Sequence, residues 1–128
     1  MQAVLSFDQA PPFAAPFRFF VTAPFFALIA GVLLAVLGPE AFSSRWTPGA
    51  LALTHLLAIG FLLQVMLGAM IQILPVVAGA NLFHPLVVAR VVHPLVVVGA
   101  LALSAGFLGM ADFAIPLAMA TLATAAGL

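Results

Sequence analysis

The chain has 128 residues, of which 66% are hydrophobic and 5% charged, and its three basic and three acidic side chains cancel. So few charged groups cannot form the polar shell of a soluble domain, and zero net charge gives no electrostatic basis for binding nucleic acid. Cysteine is absent, which excludes disulfides, iron–sulfur clusters and thiolate metal sites. The long apolar blocks predict an all-α transmembrane helical bundle.

The chain opens with a mixed segment and then an apolar block. Residues 1–16 are proline-rich, which predicts an extramembrane or interfacial lead. The run 17–37 predicts the first transmembrane helix, with the Arg18 side chain reaching toward the interface. The link that follows carries the side chains typical of a membrane interface: Glu40, Arg45 and Trp46.

Two further apolar runs predict the second and third helices. Helix two covers about 49–79, which exceeds the roughly 20 residues that span a bilayer, so we expect it to tilt, kink or protrude. Pro75 is expected to bend its last turns. Helix three is predicted over 91–110, after a link that contains His84 and Arg90.

The fourth apolar run, 113–128, is short. Its sixteen residues rise only ~24 Å, which is less than the ~30 Å thickness of a hydrocarbon core. We expect either local thinning of the membrane or, as the favoured alternative, a chain that is the front part of a longer protein. The predicted architecture of residues 17–128 is therefore three full helices plus a short or truncated fourth.

The distribution of basic residues predicts an orientation. Arg18 and Arg90 lie on the side of the membrane that holds the N-terminus, and Arg45 lies on the other side. Cytoplasmic segments carry an excess of basic residues, so the N-terminus is predicted to be cytoplasmic.

Helix two carries the side chain best suited to chemistry, His55. With no cysteine in the chain, a histidine is the natural axial ligand for a haem that apolar helices surround. A neutral imidazole offers one nitrogen to a metal while the other binds a neighbouring group. The alternative, which residue type alone favours, is a histidine that hydrogen-bonds to a neighbouring helix without a metal.

Small and amide side chains recur every four residues along helix two: Gly60, Gln64, Gly68 and Gln72. This stripe predicts close packing of another helix, with a polar substrate path as the alternative. His55 precedes Gln64 by nine residues, about 180° around an ideal α-helix, so we expect it on the opposite face, with Met66 near its side. Helix two is therefore predicted to be central. Gln64, Met66 and Gln72 are the further candidate cofactor contacts.

His93 opens predicted helix three. Because helices two and three run in opposite directions, His55 and His93 are expected ~24 Å apart in depth, too far to ligate one iron. His84 lies on the His93 side. Together with Arg90, these two histidines are candidate contacts for an anionic group such as a haem propionate, and ordinary interfacial residues are the favoured alternative. No phosphate loop, nucleophile elbow or zinc-protease motif is present, so no complete catalytic site is predicted.

Two stretches of the chain resemble a known family. The run THLLAIGFLLQVMLGAMIQILPVVAGANL, residues 54–82, resembles the second transmembrane helix of the haem–copper oxidase subunit I superfamily and its nitric-oxide-response relatives. The run PFRFFVTAPFFALIAGVLL, residues 16–34, is similar to the first helix of small bacterial proteins of oxidase subunit I-like type. The resemblance implies a bacterial cytoplasmic membrane and a low-spin haem b held by His55, opposite the cytoplasmic N-terminus.

The resemblance also limits what the chain does alone. The family's second haem ligand and its copper-binding histidines come from later helices, so no copper site is expected here. We therefore expect the haem-bearing front of a larger respiratory-chain bundle, in electron transfer or haem-linked sensing. Its partners would be lipid and helices from a longer chain, a homo-oligomer or another subunit, and only with these would it act as an oxidoreductase. The alternative is a non-haem assembly subunit or small transporter module.

Overall fold

A computed structural model describes residues 7–128, and four α-helices make up most of that part. Their bounds are Ala14–Leu37 for α1, Pro48–Ala78 for α2, Pro85–Phe107 for α3 and Ala114–Ala126 for α4. No β-strand occurs in the described residues, so the predicted all-α architecture of three long helices and a shorter fourth is confirmed. The three long helices are apolar and long enough to cross a membrane, which makes the chain a multi-pass membrane protein.

The predicted lead is described only in part, because residues 1–6 lie outside the described range. A short 3₁₀ turn at Phe7–Gln9 precedes α1, which begins at Ala14 rather than at residue 17. Gly38 ends α1 with a φ of 63°, a conformation that glycine adopts without the steric cost other residues meet. The link to α2 then opens with a second 3₁₀ turn.

Thr47 and Pro48 start α2 together. The Thr47 hydroxyl oxygen accepts a hydrogen bond from the N–H of Ala50 at 3.1 Å. Pro48 lacks the N–H that a first turn would leave unpaired. At the other end Gly79 has a φ of 64°, and its N–H binds the carbonyl of Pro75 at 3.1 Å.

The start of α3 differs from the prediction, because the helix begins at Pro85 rather than at residue 91. Proline suits a first helical turn, and the His84 carbonyl accepts hydrogen bonds from two N–H groups of that turn at 2.9 and 3.1 Å. His84 has a φ of 50°, in the left-handed region that histidine enters more often than most residues. Arg90 and His93 therefore both lie inside α3.

The helices pack around α3. Among the described residues α1, α2 and α3 contact one another pairwise, and α4 contacts α3 alone. α2 has neighbours on both sides, as predicted, but α3 touches every other helix and is the centre of the bundle. Two apolar clusters fill the interior, one around Phe26, Leu53, Leu56 and Ala100 and one around Phe19, Val92 and Val96.

Glycines allow α4 to approach α3 closely. A methyl group at Gly99 would overlap the Leu122 side chain, and one at Gly106 would overlap Ile115. The outer surface of the bundle is lined with exposed apolar side chains such as Phe25. This surface can contact either lipid or further helices, because lipid tails are as apolar as the side chains of a neighbouring helix.

Candidate functional site

The imidazole of His55 is held in one orientation by the bundle. Its Nδ1 lies 2.7 Å from the carbonyl oxygen of Leu51, one turn earlier on α2. A carbonyl only accepts hydrogen bonds, so Nδ1 carries a proton, and in the neutral imidazole the lone pair is then on Nε2. The ring packs against Phe107 near the end of α3, with ring centroids 4.8 Å apart and planes at 35°. These contacts leave Nε2 available to bind a metal.

The turn that follows His55 is unusual. Residues Leu56–Leu63 form a π-helix between the two α-helical parts of α2. A π turn takes up more residues than an α turn, so the ideal-helix angle of about 180° between His55 and Gln64 does not apply. His55 faces the end of α3, whereas the stripe that begins at Gly60 faces α1. Short π-helical turns inside α-helices are frequent at functional sites.

The side chain of Gln64 compensates for the irregular backbone at the end of the π-helix. The Gln64 backbone N–H binds the carbonyl of Phe61, three residues earlier, instead of the carbonyl of Gly60. Its side-chain Nε2 donates to that Gly60 carbonyl at 2.7 Å. The fully buried Gln64 amide therefore satisfies an acceptor that a regular α-helix would pair through the backbone.

Three polar side chains, Thr22, Gln64 and His93, meet inside the bundle. Thr22 Oγ1 lies 2.6 Å from Gln64 Oε1 and 2.8 Å from His93 Nε2. Because the Gln64 nitrogen faces Gly60, the atom that faces Thr22 is the oxygen, which only accepts. The single hydroxyl proton of Thr22 is within reach of Gln64 Oε1 and, at 2.9 Å, of the Arg18 carbonyl oxygen one turn earlier on α1. The shorter contact assigns that proton to Gln64, and Thr22 then accepts a hydrogen bond from the Nε2–H of His93. This polar triad, one residue from each of α1, α2 and α3, ties the three long helices together.

The small-residue stripe of α2 packs against phenylalanines of α1. A methyl group at Gly60 would overlap the Phe26 ring, and one at Gly68 would lie 3.1 Å from Cζ of Phe20. These close approaches identify the stripe as a helix-packing surface. Gln72 ends the stripe with Oε1 buried and without a hydrogen-bond partner among the described residues.

The remaining predicted contacts lie in separate places. Met66 is exposed on the outer surface of α2. His84 and Arg90 line one shallow cleft of about 340 Å³ at the start of α3, where the His84 ring packs on Phe83 at 4.1 Å. His93 is not part of that cleft, because its Nε2 is bound to Thr22. The cleft thus brings together two of the three predicted contacts for an anionic group.

The two histidines inside the helices, His55 and His93, lie at well-separated depths in the bundle. His55 packs against Phe107, which follows His93 by fourteen residues along α3. That interval is a rise of ~21 Å, so the two imidazoles cannot ligate one iron. Within residues 7–128 no group of three or more histidine or acidic side chains converges on a point. His55 therefore offers a single metal ligand.

Sequence reasoning missed Thr22 and Phe107. Thr22 was visible as a lone hydroxyl in the apolar run 17–37, but its partners depend on how three helices are rotated against one another. Comparison of the chain with known protein families, curated proteins and solved structures gives no match in any of the three.

Proposed function

We propose that the chain is a haem-binding membrane protein in which His55 supplies one axial ligand through Nε2. The observation that carries the proposal is the hydrogen bond from Nδ1–H to the Leu51 carbonyl, which leaves Nε2 free at the edge of the bundle. The backbone carbonyl also makes the imidazole a better electron donor, as the outer partners of ligating histidines generally do. A bound haem b would supply one-electron chemistry.

The proposed protein works inside a larger bundle. His55 is half-buried. Exposing a polar ring to lipid at the outer edge of an apolar bundle costs free energy, so a partner that covers the ring would stabilise it. The second axial ligand would come from helices of a longer chain, another copy or another subunit, and the assembly would serve electron transfer or haem-linked sensing. In the orientation that the basic residues predict, with a cytoplasmic N-terminus in a bacterial cytoplasmic membrane, His55 lies toward the non-cytoplasmic face.

The test is the haem content of the intact assembly, purified in mild detergent from haem-supplied cells and measured as the pyridine haemochrome. We expect stoichiometric haem in the wild type and in the matched control His84→Ala. The 23 residues of α3 between His84 and Phe107 rise ~34 Å, so His84 is out of reach of a haem on His55. His55→Ala is expected to lose the haem because the iron loses a ligand. Equal haem in His55→Ala and the wild type, or a colourless wild type, would contradict the proposal.

A second candidate function is that of a non-haem assembly subunit. The observation that favours it is the polar triad of Thr22, Gln64 and His93, which ties three helices together without a cofactor. Under this alternative the wild type is colourless and His55→Ala lowers only thermal stability, through its contacts with Leu51 and Phe107.

A further inference from the structure

A groove between α1 and the first turns of α2 opens on the outer surface, and its volume is about 510 Å³. Small residues of α1 form one wall, and leucines of α2 form the other: Ala27, Ala30 and Gly31 face Leu53 and Leu57. At Gly31 an added methyl group would meet no atom within 4 Å, so the open space continues over α1 at that point. The lining that lies within the helices is almost wholly apolar.

The groove extends from the membrane boundary toward the middle of the bilayer. Its α1 wall runs from Leu34, near the end of the helix, back to Ala27. Seven residues of α-helix rise ~10 Å, which is about two thirds of the ~15 Å depth of one leaflet in a ~30 Å hydrocarbon core. The groove is therefore apolar along its depth and reaches the interface at the α1–α2 link.

A positive charge stands at the mouth of the groove. Arg45 lines its upper end, and its guanidinium lies over the Trp46 ring, 5.1 Å from the centroid. Stacking on an indole restricts the direction of the guanidinium without neutralising its charge. No carboxylate pairs with Arg45 in residues 7–128, and Glu40, the acidic residue of the same link, lines a different depression.

We propose that this groove binds one anionic phospholipid, with the phosphate on Arg45 and one acyl chain between α1 and α2. Charge complementarity selects this occupant, because the groove combines a cation at interfacial depth with an apolar channel that runs inward. Tryptophan and arginine are both typical of the headgroup level, where the phosphate of a membrane lipid lies. The site is separate from His55, whose ring packs against α3 and does not line the groove.

The test is native mass spectrometry of the purified protein with added phosphatidylglycerol or phosphatidylcholine of identical acyl chains. The wild type is expected to retain phosphatidylglycerol about fivefold better, the effect of one basic residue near the membrane surface. Arg45→Gln removes the charge and should retain both lipids equally. Gly31→Leu fills the groove and should lose both lipids.

Two control variants separate the site from general lipid contact. Arg18→Gln changes an arginine in the first turns of α1, at the opposite end of that helix from Arg45, and Ala35→Leu enlarges an exposed residue of α1 outside the groove. Both are expected to behave as the wild type. The proposal is overturned if the wild type shows no preference, if Arg45→Gln keeps the preference, if Gly31→Leu retains lipid as the wild type does, or if a control loses it.

Discussion

At the scale of single residues, Gln64 and Gln72 differ in a way that their sequence spacing conceals. Both belong to the stripe that recurs every four residues on α2. Gln64 is fully buried and uses both ends of its amide, one on Thr22 and the other on Gly60. Gln72 buries an oxygen that has no partner among the described residues. Hydrogen bonds therefore offset the cost of desolvating the Gln64 amide, whereas the buried oxygen of Gln72 is desolvated without that compensation.

A matched pair of substitutions tests this difference. Gln64→Leu leaves the Gly60 carbonyl without its donor and is expected to lower the free energy of unfolding by about 1–3 kcal/mol. Gln72→Leu removes an unpaired polar atom and is expected to be neutral or stabilising. Unfolding in detergent micelles, followed by circular dichroism, measures both. Equal losses from the two variants would contradict the hydrogen-bond account of Gln64.

Little of the residue-scale site was accessible from the sequence. His55 was identifiable because an ionisable side chain in an apolar run is conspicuous. The pairing of His93 with Thr22 was not, because His93 was predicted at the interface while α3 in fact begins at Pro85. A helix that started at residue 91 would place His93 at the interface. Because α3 starts six residues earlier, at residue 85, His93 lies inside the bundle.

At the scale of helices, the close contact of α2 with α1 depends on the stripe glycines. The Gly60 backbone lies against the Phe26 ring inside the π-helical part of α2. A helix interface in a membrane draws its stability from such van der Waals contact. The apolar run predicted this helix, and the recurrence of glycine and glutamine every four residues predicted its small-residue face. The π-helix leaves no distinct signal in the sequence. It changes the angle around the helix between His55 and the stripe.

Two glycine substitutions test the packing. Gly60→Ala places a methyl group on the Phe26 ring, and such overpacking is expected to cost about 1–3 kcal/mol. Gly31→Ala meets open space on α1, and it should leave stability unchanged or raise it by up to about 1 kcal/mol, because alanine favours the helix. Thermal unfolding of the two variants gives the comparison. A Gly60→Ala protein as stable as Gly31→Ala would exclude a close α1–α2 contact at Phe26.

At the scale of the whole molecule, the bundle presents apolar side chains on almost every outward face. The membrane class and the count of long helices could be predicted, because hydrophobic run length decides both. The arrangement of the helices could not, since each apolar run offers several faces and the sequence does not say which one is covered. The centre of the bundle accordingly proved to be α3 rather than α2.

The proposed orientation of the molecule can be measured with single cysteines, because the natural chain has none. Asp112→Cys lies in the exposed link between α3 and α4, and Leu82→Cys lies in the exposed link between α2 and α3. With a cytoplasmic N-terminus, a membrane-impermeant maleimide added to intact cells should label Asp112→Cys alone. Labelling of Leu82→Cys in its place would reverse the orientation.

The central claim, that His55 is a haem ligand, is tested most directly by chemical rescue of a cavity variant. In His55→Gly the imidazole is removed while space for it remains between Leu51 and Phe107. We expect the absorption bands of low-spin haem b in the wild-type assembly, their loss in His55→Gly, and their return when imidazole is added to the variant. Bands that are absent from the wild type, or that persist unchanged in His55→Gly without imidazole, would contradict the claim.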